Sequence, residues 1–194
     1  MTAADDRPRL GPLPRAEWDD RLTKLLAASP GGTEEPMHIF TTLAHQPDLF
    51  RRWLGFGGAL LAGTLPGRLR ELVILRTACR FDGRYEWAHH IELGAAQGIT
   101  ADELAALGGD LDLVAWDPFE RAALAAVDQT ADEGAVADGT WATLAARLSD
   151  GELVEFLMLL AHYLMLSTVL RSLRVPLEPA ALAWAEGVPG GPAA

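Results

Sequence analysis

Residues 153–173 place the strongest limit on how this chain can fold. On a helix drawn through them, Met158, Leu159, His162, Leu166 and Val169 line one side, and Leu153, Leu157, Leu160 and Leu164 line the other. A helix that is apolar on two faces has no fully solvated side. It must run through the centre of the molecule or be shared with a second subunit. Its length would suit a membrane span, but Glu155, His162 and Arg171 interrupt it, and charge is costly inside a bilayer. The expectation is a buried core helix.

The rest of the chain fits around such a helix. No stretch sustains the two-residue alternation of a strand, whereas helical spacing persists from Met37 onward. Residues 37–44 form a first helix that stops before Pro47, and Asp48 can cap a second that carries Leu49, Phe50, Trp53 and Leu54 towards residue 61. The Gly57-Gly58 pair makes its continuation uncertain. Pro66 opens the next helix, to about residue 80, and after a turn at Asp82-Gly83 another spans 84–97 until Gly98 stops it. Thr100 and Glu103 match a capping box for a helix to residue 107. Asp117-Pro118 begins one to about 131, and 141–148 forms another. Ser149 or Asp150 caps the long helix, which Pro176 and Pro179 terminate.

The expected fold class is therefore all-α, with three parts. Residues 1–35 form an arm punctuated by Pro8, Pro12, Pro14, Pro30, Gly31 and Gly32, with one short helix in 15–28. Residues 36–175 form the helical domain. Residues 176–194 are a Pro/Gly/Ala-rich tail with room for one helical turn around Trp184.

Charge and cysteine usage narrow the function. The net charge is -11 and Lys24 is the only lysine, so the chain carries no footprint for nucleic acid or for an anionic membrane. An anionic small molecule would need local arginines to reverse the field. Cys79 is the single cysteine, which excludes an intrachain disulfide framework, CxxC redox chemistry and thiolate metal sites. Residues 1–13 are polar and contain no apolar signal-peptide core, so a cytoplasmic location is the expectation.

The chemistry concentrates in two neighbouring helices. Glu71 precedes the apolar run Leu72-Val73-Ile74-Leu75, and Tyr85-Glu86-Trp87-Ala88-His89-His90 opens the following helix. At about 100° per residue, Trp87, Ile91 and Gly94 share one face of that helix, with Glu86 and His90 on its shoulder. His89 points nearly opposite, towards solvent. Two carboxylates and an imidazole beside a core have pKa values that burial and neighbours can move towards neutrality, as proton transfer requires. Each residue also has a structural reading. Glu71 can pair with Arg68 or Arg70, Glu86 can be a favourable charge in a helix's first turn, and His90 can be a core-edge histidine. HExxH is absent and no tight three-ligand spacing occurs, so no metal and no cofactor are expected.

The segment Leu65-Pro66-x-Arg68-x-Arg70-Glu71-Leu72-Val73-Ile74-Leu75, followed by Tyr85-Glu86-Trp87, His90 and Gly98-Ile99-Thr100-x-x-Glu103, resembles the carboxymuconolactone decarboxylase family. That family shares its fold with the alkylhydroperoxidase D-type proteins, so the resemblance implies a helical bundle of about seven to eight helices. In the alkylhydroperoxidase branch a glutamate is followed by Cys-x-x-Cys and then by a histidine. Here Glu71 and His90 match, but the cysteine positions fall on Gly83 and Glu86, which counts heavily against a peroxidase.

The resemblance implies Glu71, Glu86 and His90 as catalytic residues of a cofactor-free acid/base reaction on a small carboxylated or carbonyl-bearing substrate. Arg84, Tyr85, Trp87 and His162 are the expected substrate-binding set. Arg84 is favoured over Arg76 and Arg80 as a carboxylate anchor, and His162 either faces the cleft or is a satisfied core histidine. A homotrimer or homohexamer is implied. Two further readings stay open: a thiol-dependent hydroperoxide reductase relying on Cys79, and a non-catalytic oligomeric ligand-binding protein.

Overall fold

The computed structural model describes residues 7–182, 188 and 190–192, so the expected turn around Trp184 lies outside it. Among the described residues the chain is helical throughout: α1 (Asp20–Ala27), α2 (His38–Leu43), α3 (Pro47–Leu61), α4 (Gly67–Arg80), α5 (Arg84–Ala96), α6 (Ala101–Gly108), α7 (Pro118–Glu133), α8 (Asp138–Ala145) and α9 (Asp150–Leu173). Short 3-10 turns at Arg15–Glu17 and Leu111–Leu113 complete it.

The caps explain most boundaries. Prolines open α3 and α7, where a missing N–H costs nothing. Thr100 with Glu103, and Ser149 with Glu152, form reciprocal capping boxes that start α6 and α9. The expected helix over 15–28 divides, because the Asp19 carboxylate accepts the Leu22 N–H at 2.7 Å and starts α1 there. Gly57-Gly58 does not break α3, which runs on to Leu61.

α4 is the hub, packing against α5, α6, α7 and α9. Its run from Glu71 to Ala78 is buried without interruption, so its charged residues need partners. Arg68 donates to Glu120, Glu103 and the Gly98 carbonyl, tying α4 to α6 and α7. Arg76 forks onto Asp128 at 2.8 and 2.9 Å and caps the Leu107 carbonyl at 2.6 Å. Two apolar clusters flank this helix. The larger gathers residues from α1–α4 and α7–α9, and the smaller surrounds Trp87, Ile91 and Leu107.

α9 lies along α4 and α5 and also meets α3 and α8. Half of its most apolar window is buried in the bundle, as a core helix requires. Val154, Leu157, Met158 and Met165 form an exposed apolar strip on the opposite side. The arm is laid onto the bundle, with the Leu13 N–H donating to the Thr41 carbonyl and the Arg9 N–H to that of Leu173.

Candidate functional site

A tight turn folds α5 back on α4. Asp82 adopts a left-handed conformation (φ 55°), and the Gly83 N–H reaches the Ala78 carbonyl at 2.7 Å. This hairpin sets Glu71 of α4 against His90 of α5, with Nδ1 2.7 Å from Oε2. Arg70 donates from Nε to the other carboxylate oxygen at 3.1 Å. On its far side the imidazole meets α9, where the Tyr163 hydroxyl lies 3.2 Å from Nε2 and the rings stand edge to face. The partners assign the proton: Nδ1–H donates to the Glu71 carboxylate, which leaves Nε2 to accept from the phenol. Arg70, Glu71, His90 and Tyr163 thus form one hydrogen-bonded line across three helices.

Burial pushes the Glu71 carboxyl upward, but the hydrogen bonds and charges of His90 and Arg70 outweigh it and hold the group below the usual carboxylate range. Burial raises the Tyr163 phenol, and the carboxylates of Glu71 and Glu86 raise it further, so it stays a neutral O–H donor.

Glu86 differs from Glu71. It is 2% exposed, and neither carboxyl oxygen has a hydrogen-bond partner from another residue. Burial raises its carboxyl to about 7, with its own backbone N–H the small opposing influence. One turn beyond Tyr163 on α9, Ser167 is fully buried and its hydroxyl also lacks a partner. The two side chains converge beside Gly83. A Cβ built on that glycine would lie 2.3 Å from the Ser167 oxygen and 2.8 Å from Glu86 Oε2.

The remaining expected residues are dispersed. Tyr85 donates to Glu178 at 2.7 Å and accepts the Ile39 N–H, which turns it towards α2 and the C-terminal segment. Trp87 is buried in the smaller apolar cluster. His162 is 5% exposed and lies parallel to Trp53, with Phe56 edge-on and its Nδ1 unpartnered. Glu155 does not accompany His162; it accepts the N–H groups of Thr64 and Leu65 ahead of α4. Arg84 is half-buried and makes no ion pair among the described residues, whereas Arg76 and Arg80 are held by Asp128 and Asp132. His89 is not free in solvent as expected: its Nε2 is 2.7 Å from Glu178, which returns from the end of the chain to cover it. Cys79 lies outside the cluster and contacts the Gly190 carbonyl at 3.7 Å; burial pushes its thiol up to about 12.

Tyr163 and Ser167 did not stand out in the sequence. Their signal is the i, i+4 spacing of two polar groups within the apolar helix, which matches Glu86 and His90 on α5. The cluster is closed, with Glu71, His90 and Tyr163 all buried. A surface groove lined by Thr100, Asp102, Glu103, Ala105, Leu113 and Val114 holds none of these residues.

Comparison with known proteins bears on the fold. Residues 47–129, which include α4, α5 and α6, match the carboxymuconolactone decarboxylase family. No curated protein matches the chain in sequence. Among solved structures, a peroxidase-related protein with an alkylhydroperoxidase D core from Ralstonia eutropha JMP134 superposes with a TM-score of 0.76 at 17% identity, covering 93% of this chain and 98% of its own. A putative antioxidant defence protein of the same type from Agrobacterium tumefaciens superposes with a TM-score of 0.64 at 18% identity, covering 70% and 94%. A debrominase solved with a tribromopyrrole gives a TM-score of 0.71 at 17% identity, covering 92% and 96%. Over residues 47–129 the chain is similar to the carboxymuconolactone decarboxylase family, and the chain as a whole has an alkylhydroperoxidase D-like fold.

Proposed function

We propose that this protein is a cofactor-free acid/base enzyme that decarboxylates, or carries out a related lyase or isomerase step on, a small carboxylated or carbonyl-bearing compound. The observation that carries the reading is Glu86, an unpartnered buried carboxyl that keeps its proton up to about pH 7 and lies one turn before His90 on α5. An acid held neutral near working pH is suited to giving up a proton.

In a decarboxylation the carbon–carboxylate bond breaks, CO2 leaves, and the electron pair passes into a neighbouring carbonyl as an enolate. Glu86 then protonates the carbon and recovers its proton from solvent. For a base-driven step the line runs in the other direction. The Tyr163 oxygen takes a substrate proton while its own passes to His90 Nε2, and the Glu71 carboxylate stabilises the imidazolium. Arg84, His162, Tyr85 and Trp87 are retained as substrate-binding candidates. Arg84 has the best support, since no ion pair among the described residues engages its charge.

The thiol-peroxidase reading fits poorly with Cys79, whose thiol is half-buried and far from ionising at neutral pH. The reading includes self-association as a homotrimer or homohexamer in the cytoplasm, and the exposed apolar strip on α9 supports the association.

The test is a panel of β-keto acids and lactone carboxylates, with CO2 release measured for the wild type, Glu86→Gln and His90→Ala. Turnover that both variants lose while staying folded supports the proposal. Undiminished turnover in Glu86→Gln overturns it.

A further inference from the structure

We propose that Ser167 and Glu86 form a two-donor oxygen subsite beside Gly83 that holds a carbonyl or enolate oxygen of the ligand. The inference rests on Glu86 acting as a neutral acid, as argued above, and adds a second donor from a different helix.

Three of the buried polar atoms that lack a partner belong to these two side chains: both oxygens of Glu86 and the hydroxyl of Ser167. A buried polar group left unsatisfied is costly, so native proteins rarely tolerate several together without a molecule to satisfy them. The orientation is also specific. The Cβ position built on Gly83 lies closer to the Ser167 oxygen (2.3 Å) than to the Ser167 Cβ (3.0 Å), so the hydroxyl points at the glycine. Glu86 Oε2 approaches the same point to 2.8 Å. A hydroxyl and a protonated carboxyl each supply one O–H, and two such donors converging beside one glycine suit an oxygen that gains negative charge.

The helix pairing makes the arrangement rigid. Glu86 and His90 are four residues apart on α5, Tyr163 and Ser167 four apart on α9, and α5 packs against α9. His90 meets Tyr163 at one rung, and Glu86 and Ser167 converge beside Gly83 at the other. The His90–Tyr163 rung moves protons in the base-driven step, whereas the Glu86–Ser167 rung holds the oxygen that the moved electrons reach before Glu86 gives up its proton. Ser167 is on this view a substrate-binding residue that the motif in α4 and α5 does not include.

The test uses p-nitrophenol, a stable enol mimic whose visible absorption reports its ionisation. Binding is measured by absorbance titration against the full-length wild type, Ser167→Ala, Gly83→Ala and, as a control outside the cluster, Cys79→Ser. The proposal expects wild type and Cys79→Ser to bind equally and Ser167→Ala to bind about tenfold more weakly, the usual loss for one buried hydrogen bond. Gly83→Ala should lose binding further, because its methyl group takes the space of the Ser167 hydroxyl and crowds Glu86 as well. Circular dichroism and thermal melts confirm folding, and Ser167→Ala alone is decisive if Gly83→Ala fails to fold. Absence of wild-type binding, or equal affinity in Ser167→Ala, overturns the subsite. Because the titration needs no turnover, Ser167-dependent binding alongside a failed substrate panel leaves the subsite standing and removes only the reaction assigned to it.

Discussion

The Tyr163 hydroxyl lies 3.2 Å from Nε2 of His90, whose other ring nitrogen lies 2.7 Å from the Glu71 carboxylate. The imidazole is therefore held from both sides by groups on different helices. Its orientation depends on α4 and α9 as much as on α5. Tyr163→Phe keeps the ring packing but removes the phenol. We expect turnover to fall about 100-fold, the usual scale for one general acid or base. The stability loss should be on the order of 1 kcal/mol for the partner left unsatisfied. Steady-state kinetics with the substrate from the CO2 panel, paired with a urea titration, checks both.

Glu86 makes a pH prediction whose sign differs from that of most carboxylates. Its folded pKa is about 7, above its unfolded value of 4.5, so the native state holds the proton more tightly. Its contribution is fully present below about pH 4.5 and is lost as pH rises through about 7. Glu86→Gln should then match wild type at low pH and exceed its stability above pH 7, by up to about 3 kcal/mol. Urea midpoints from pH 4 to 9 test this. A stability difference that does not vary with pH would contradict it.

Glu178 gives the opposite sign. The N–H of His38, the Tyr85 hydroxyl and His89 all reach its carboxylate and hold it at about 2 despite burial. Its contribution is present above about pH 4.5 and is lost as pH falls towards 2. Glu178→Gln should flatten this acid limb by on the order of 2 kcal/mol after solvent screening. The same variant should speed amide exchange at Ile39, whose N–H the Tyr85 hydroxyl accepts.

Cys79→Ser should leave turnover unchanged. In the native protein the thiol should react with iodoacetamide on the order of a hundredfold more slowly than in urea, since burial holds it protonated. Mass spectrometry of the alkylated protein reads this directly.

Local signals in the sequence carried much of this architecture. The capping boxes at Thr100 and Ser149 and the prolines at 47, 66 and 118 set helix starts that short-range chemistry decides. Glu71, Glu86 and His90 were legible because they lie in two adjacent helices joined by a short turn. Tyr163 and Ser167 were not. α9 is apolar nearly all round, so periodicity could not say which of its sides meets α5. His162 attracted attention as the ionisable group, but one step of about 100° turns it to Trp53 and gives the neighbouring tyrosine to the site. The Glu178 contacts with Tyr85 and His89 join residues about ninety apart in the chain, a separation no local pattern encodes.

The close approach at Gly83 bears on how relatives of this protein can exchange one chemistry for another. Ser167 occupies the room that any side chain at position 83 would require. Installing a thiol pair at positions 83 and 86 would therefore create a collision with a residue more than eighty positions away. Relief has to come from α9, by rotation of the Ser167 hydroxyl or by a smaller side chain at position 167. What position 83 can carry is thus set partly by a helix outside the motif.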